Sequence, residues 1–173
     1  MRVIFHDRKT LACLCFAVFL PLNLLAQDAT ALRKERDKLV ERGLWQDALD
    51  FYQNELMPVS DAQSGKDLKT ARNSLQHLNA WNELDRLVER AVSTHPENPS
   101  LLVAAAHIYR EAPHSGRLIA GDFERDGGHR FGRRPMGPDA EPEASAGAAV
   151  NTEYRDHIRS LQLLRQALVH ATE

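Results

Sequence analysis

Gly43-Leu-Trp45-Gln-Asp-Ala48-Leu-Asp-Phe-Tyr52 and Asn79-Ala-Trp81-Asn-Glu-Leu84-Asp-Arg-Leu-Val88 are two stretches of one design, with Trp81 thirty-six residues after Trp45. In each, a turn residue precedes an aromatic, and apolar residues follow three and seven positions on. That spacing predicts a helix that starts at a tight bend and lays one stripe on a neighbour. Outward from the first bend, Leu32 and Leu39 predict a preceding helix, roughly Ala29 to Arg42, dense in charge on its other faces. Gly43 ends it, because glycine accepts the left-handed backbone that closes a helix. Past the bend, Ala48, Leu49, Tyr52 and Leu56 predict a helix over Gln46 to Leu56, and Pro58 forbids its continuation.

The second unit repeats the pattern. Leu68, Ala71, Leu75 and Leu78 lead up to Asn79, and Leu84, Leu87, Val88, Ala91 and Val92 mark a partner helix from Asn82 to Thr94, stopped by His95-Pro-Glu-Asn-Pro99. A third unit begins at about Ser100 with Leu101, Leu102, Ala105, Ala106 and Tyr109. The leading residues Leu32, Leu68 and Leu102 are separated by 36 and then 34 positions. These residues resemble the tetratricopeptide repeat. Leu102, Ala105, Ala106 and Tyr109 match its first-helix set, Ala48 and Tyr52 its second-helix set, and Ala91 with Pro96 its ending. Glu35 and Arg36, which stand where leucine and a small residue belong, depart from it, as does Leu84 in place of alanine.

The third unit is expected to be split. The next helical pattern after Tyr109 is Glu153 to Ala171, with Ile158, Leu161, Leu164, Ala167 and Leu168; Ser160, Leu164 and Ala167 are expected to take its packing positions. About forty residues would then be inserted within one hairpin. The rival arrangement has this helix capping the array from outside. Within the insertion, Gly116 to Arg134 mixes Ile119, Phe123 and Phe131 with paired charges and glycines, and reads as ordered but irregular. The stretch from Pro135 onward is short of bulky apolar residues and is expected to be disordered or loosely held. Leu118-Ile-Ala-Gly-Asp-Phe-Glu-Arg125, Gly128-His-Arg130 and Val150-Asn-Thr-Glu-Tyr-Arg-Asp-His-Ile-Arg-Ser-Leu-Gln-Leu163 are similar to the helical leader region of large exported bacterial alpha-2-macroglobulin-like proteins. That resemblance implies an interaction region and carries over no catalytic residue.

Arg2, Arg8 and Lys9 precede the apolar run Leu11 to Leu20, which meets Pro21 and Asn23 before it is long enough to span a bilayer. This reads as a secretory signal peptide over residues 1–26, with cleavage expected after Ala26 and an uncleaved anchor as the alternative. Both cysteines, Cys13 and Cys15, lie in that run, so the exported chain is expected to have no disulfide, thiolate metal site or cysteine nucleophile. The formal charge of −2, with both signs interleaved through the helices, does not point to nucleic acid.

Several sharper readings fail on their own chemistry. Asp122-x-Glu124-x-Asp126-Gly127 imitates half of a calcium loop, but Arg133 stands where a bidentate carboxylate is required. His114 and His129 lack zinc-ligand spacing, and Ser115 has no nucleophile elbow or justifiable triad. Arg117, Arg125, Arg130, Arg133 and Arg134 could form an anion site; pairing with Asp122, Glu124, Asp126 and the acidic stretch Asp139 to Glu143 is the preferred reading. Trp45, Trp81 and Tyr109 are expected to be buried between hairpins, not to form a ligand cage.

The expected fold class is thus all-α: tetratricopeptide-like hairpins over 27–111, an insertion over 112–151 and a helix over 152–173 that completes or caps the array. The resemblance implies a non-enzymatic, exported scaffold that binds a peptide or protein, without cofactor or metal, on the faces of its leading helices. The residues placed there are Arg33 and Asp37, then Lys69, Asn73 and Gln76, then His107 and Arg110. The alternative is a structural leader or docking element of a larger alpha-2-macroglobulin-like assembly, with no ligand of its own.

Overall fold

The computed structural model describes residues 21–125 and 148–171. Most of the expected leader, together with His129, Arg130, Arg133, Arg134 and the proline-rich half of the insertion, lies outside the described residues. The chain is mostly helical. Helix α1 is Pro21–Glu41, α2 Trp45–Phe51, α3 Ser64–His77, α4 Leu84–Thr94, α5 Pro99–Glu111 and α6 Glu153–Ala171. The expected cleavage point after Ala26 falls within α1. A π-helical turn, Tyr52–Leu56, extends α2, and a 3-10 turn, Trp81–Glu83, leads into α4.

The two bends have the same construction. At the first, Gly43 has φ +70°, its N–H donates to Val40 O (3.0 Å) and the next N–H, of Leu44, donates to Leu39 O (2.9 Å). At the second, Asn79 has φ +53°, its N–H donates to Gln76 O (3.1 Å) and that of Ala80 to Leu75 O (2.9 Å). Both are Schellman closures, which need one residue in the left-handed region and satisfy carbonyls the helix end leaves open. Asparagine serves where glycine does because its short polar side chain tolerates that region better than most.

Helices α3 and α5 pack directly on one another. The backbone of α3 at Gly65 lies so close to α5 that a Cβ there would sit 2.3 Å from Ser100 O. The loops before α3 and α5 are joined: His95 Nε2 donates to Met57 O (2.7 Å), Asn98 Nδ2 to Asp61 O (2.9 Å) and Ser100 Oγ to Ala62 O (2.8 Å). Helix α6 runs beside α4 in constant register, because Arg155 meets Asp85, Arg159 meets Glu89 and Gln166 meets Pro96 O, each pair seventy residues apart. A constant offset along two helices requires them to be parallel with the same rise. Helix α6 also packs extensively on α5. The core fills the space between, with Tyr52, Leu68, Leu75, Leu84, Val88, Leu102, Tyr109 and Leu163 almost fully buried.

Three expectations need correction. The chain is not all-α: within the insertion, β1 (Ser115–Ile119), β2 (Asp122–Arg125) and β3 (Ala148–Asn151) form an antiparallel sheet of order β2-β1-β3. Ala120 and Gly121, at φ +52° and +95°, make the two-residue hairpin between β1 and β2, a geometry that matches the twist of the strands. Gly116 is obligatory, since a Cβ would stand 2.3 Å from Glu124 O. On α6, Ser160 and Ala167 are buried as expected, but Leu163 takes the place expected of Leu164, which faces outward, and Asp156 is buried with them. Finally, Trp81 and Tyr109 are buried, but Trp45 is only half-buried and stacks on the His77 imidazole, the rings 3.8 Å apart and 4° from parallel.

Candidate partner-binding face

On α3, Lys69, Asn73 and Gln76 are exposed at i, i+4 and i+7; on α5, Val103, His107 and Arg110 recur at the same spacing, each thirty-four residues later, with His107 half-buried and the other two exposed. The two rows therefore occupy equivalent faces of packed, neighbouring helices. Asp67 is the one acidic residue of α3 and it is buried, so the exposed side of that helix carries Lys66 and Lys69 without a carboxylate. Arg72 holds part of this row in place: its Nη1 donates to Gln76 Oε1 (2.6 Å) and to Asn73 Oδ1 (3.3 Å), and its guanidinium lies 5.3 Å from the centre of the Trp81 ring. Cationic and amide groups around the exposed Val103 suit the carboxylates and backbone of an extended acidic peptide.

The α1 residues behave differently. Asp37 is exposed and accepts from Arg36, but the Arg33 guanidinium is pinned between Asp61 and Asp67, at 2.8 Å from each. Burial lowers the Arg33 pKa, and hydrogen bonds with Asp67 and Asp61 more than reverse this, so the net shift is upward. Arg33 is committed to holding α1 on α3 and is not free for a ligand. Beside it Arg36, 3% exposed, donates to Asp67 at 2.6 Å. This ion pair explains the charged residue standing where the repeat pattern has a small one. Glu35 stays at the surface, paired with Lys38.

A second buried polar cluster was not anticipated. Arg125, at the end of β2, donates to Asp156 Oδ2 (2.7 Å), Asp85 Oδ1 (2.6 Å) and Pro113 O (2.6 Å), its side chain 1% exposed. Asp156 also accepts from Thr152 Oγ1 (2.9 Å), Arg155 (2.9 Å) and His114 Nδ1 (3.0 Å). Burial alone would raise the Asp156 carboxyl, yet Arg125, His114 and Arg155 outweigh it and hold it well below the usual carboxylate range. Arg125 therefore pairs with α4 and α6, not with the acidic neighbours expected from the sequence. This cluster clasps the sheet to the helices. One signal was available: Asp156 falls in phase with Ser160, Leu163 and Ala167, and a carboxylate on a packing face requires a cation.

Asp122 and Glu124 belong to a strand paired with β1, so their backbone is not that of a calcium loop. Among the described residues no group of three or more His, Cys, Asp or Glu is placed to hold a metal, and no helix is long and apolar enough to cross a membrane. Comparison with known proteins returns no match, whether to a family model, a curated protein or a solved structure.

Proposed function

We propose that the chain is an exported, non-enzymatic scaffold of three tetratricopeptide-like hairpins, the third split by the sheet insertion, that binds an acidic peptide or protein segment along the α3–α5 face. The observation that carries this reading is the double row Lys69-Asn73-Gln76 and Val103-His107-Arg110, matched by spacing and at the surface except for half-buried His107, with Glu111 the one exposed carboxylate of these two helices. Stacked repeats use such faces as extended binding surfaces. Export rests on the apolar leader that precedes α1. The test is fluorescence anisotropy with a library of labelled acidic peptides. A peptide that binds should lose at least about tenfold in affinity with Lys69→Glu/Arg110→Glu, and little with Arg86→Glu on α4. Equal binding by the face variant and the parent would refute the assignment. The alternative, a docking element of a larger alpha-2-macroglobulin-like assembly, has the outward apolar residues of α6 in its favour; obligate assembly without peptide capture would select it.

A further inference from the structure

Arg72 adjoins the two amide side chains of the α3 row, and among the described residues its partners are all neutral. One nitrogen, Nη1, donates to Gln76 Oε1 (2.6 Å) and to Asn73 Oδ1 (3.3 Å), while the guanidinium lies over the Trp81 ring, 5.3 Å from its centre. Trp81 belongs to the hydrophobic core and is 8% exposed, so the cation rests on an aromatic face that the fold holds in place. The second bend thus reaches the candidate face through Arg72.

An amide side chain accepts through oxygen and donates through nitrogen, whereas a guanidinium can only donate. Arg72 therefore selects one of the two orientations open to each amide: oxygen toward the guanidinium, NH2 away from it. The opposite orientation would set N–H against N–H. Both Asn73 and Gln76 are exposed, so their NH2 groups are left for a partner. Lys69, one turn before Asn73, carries donors alone. The row Lys69-Asn73-Gln76 then offers donors from end to end, although two of its three residues could have offered acceptors.

We propose that Arg72 is the positioning residue of the α3–α5 face, turning the Asn73 and Gln76 amides so that the row recognises acceptors only. This rests on the peptide-binding reading and adds to it the class of ligand and the residue that selects it. A row of donors complements carboxylates and backbone carbonyls not already bonded. Carbonyls inside a helix are taken by their own ladder, so the ligand is an acidic segment in an extended conformation. A segment rich in glutamine is disfavoured, because its NH2 groups would meet NH2 groups.

The probe is a labelled acidic peptide that binds the full parent chain, with affinities read by fluorescence anisotropy and folding of each variant by circular dichroism. Arg72→Met keeps an unbranched stem over Trp81 and removes the donors; it should weaken binding at least about fivefold. Coupling decides the cause. If Arg72 acts through the amides, Arg72→Met should change affinity little once Asn73→Ala/Gln76→Ala is in place, so that the losses do not add. The preference for the acidic peptide over its glutamine counterpart should also narrow in Arg72→Met, since the freed amides can turn an oxygen outward. Arg72→Lys keeps the charge without the planar group and carries the same cycle should Arg72→Met not fold. Parental affinity in Arg72→Met overturns the inference. So do fully additive losses, which would mean that Arg72 supplies charge or stability independently of the amides. If no acidic peptide binds the parent, the peptide-binding reading itself fails and this inference with it.

Discussion

Asp156 is completely buried, and its two oxygens collect donors from β2, from the loop before β1, from Thr152 just ahead of α6, and from Arg155 on its own helix. The cost of taking a carboxylate out of water is met only while those donors stay, and removing one member of such a group leaves uncompensated charge behind. Its folded-state pKa is depressed, so its stabilisation is fully present above the unfolded value of about 4 and is lost as pH falls toward the folded one. Asp61 and Glu89, for which burial is likewise outweighed by hydrogen bonds from Arg33 and Arg159, titrate in the same sense. Asp156→Asn should cost about 3–5 kcal/mol at pH 7, measured by urea unfolding, and the gap from the parent should narrow below about pH 4. A gap independent of pH would mean that the charge of Asp156 contributes nothing. The two tryptophans also separate at this scale. Trp81→Ala leaves a core cavity and should cost about 3–5 kcal/mol, whereas Trp45→Ala removes a half-exposed stack on His77 and should cost less than half as much; thermal unfolding of both variants measures the difference.

The helix bends were legible because their chemistry is local. A glycine or asparagine before a tryptophan announces a left-handed closure, and the structure places both there within identical hydrogen-bond patterns. At Asn79 the left-handed conformation carries a residual cost that glycine would remove, so Asn79→Gly should leave stability unchanged or raise it by a few tenths of a kcal/mol. Gly43→Ala should lower it by about 1–2 kcal/mol. Equal effects at the two bends, read from denaturant midpoints, would show that they are not equivalent. The strands escaped notice for a complementary reason: they are short, interrupted by glycine and charge, and their pairing joins residues on either side of a long insertion. On α6 the expected Ser160 and Ala167 are buried, but Leu163 takes the place expected of Leu164, because leucines at 161, 163, 164 and 168 supply two apolar faces, and periodicity cannot say which one the rest of the fold will cover. That Lys69, Asn73, Gln76 and Arg110 stand at the surface was legible from helical spacing. The exception, Arg33, was not, since nothing local reveals that Asp61 and Asp67 lie across the helix interface.

At the scale of the molecule, α6 poses a folding problem, because it reaches its place beside α4 and α5 only after the intervening insertion. Two kinds of contact secure it. Leu163 and Ala167 enter the shared core, while Arg155, Arg159 and Gln166 tie its length to α4. Arg125 and Asp156 fasten the sheet to its N-terminal end. None of these contacts requires the chain to be continuous between β2 and β3, so continuity should contribute mainly entropy, and loop-closure entropy changes slowly with loop length. A specific protease site introduced between Pro138 and Glu143 tests this directly. After cleavage the two fragments should co-elute on size exclusion with the helical signal retained, and they should separate at a lower urea concentration than unfolds the intact protein. Adding Arg125→Ala should release the C-terminal fragment, because Asp156 would then be buried without its principal cation. Release of the fragment by cleavage alone would mean that α6 is held by its tether rather than by its packing on α5, and would favour a cap resting on the other helices over the proposed split hairpin.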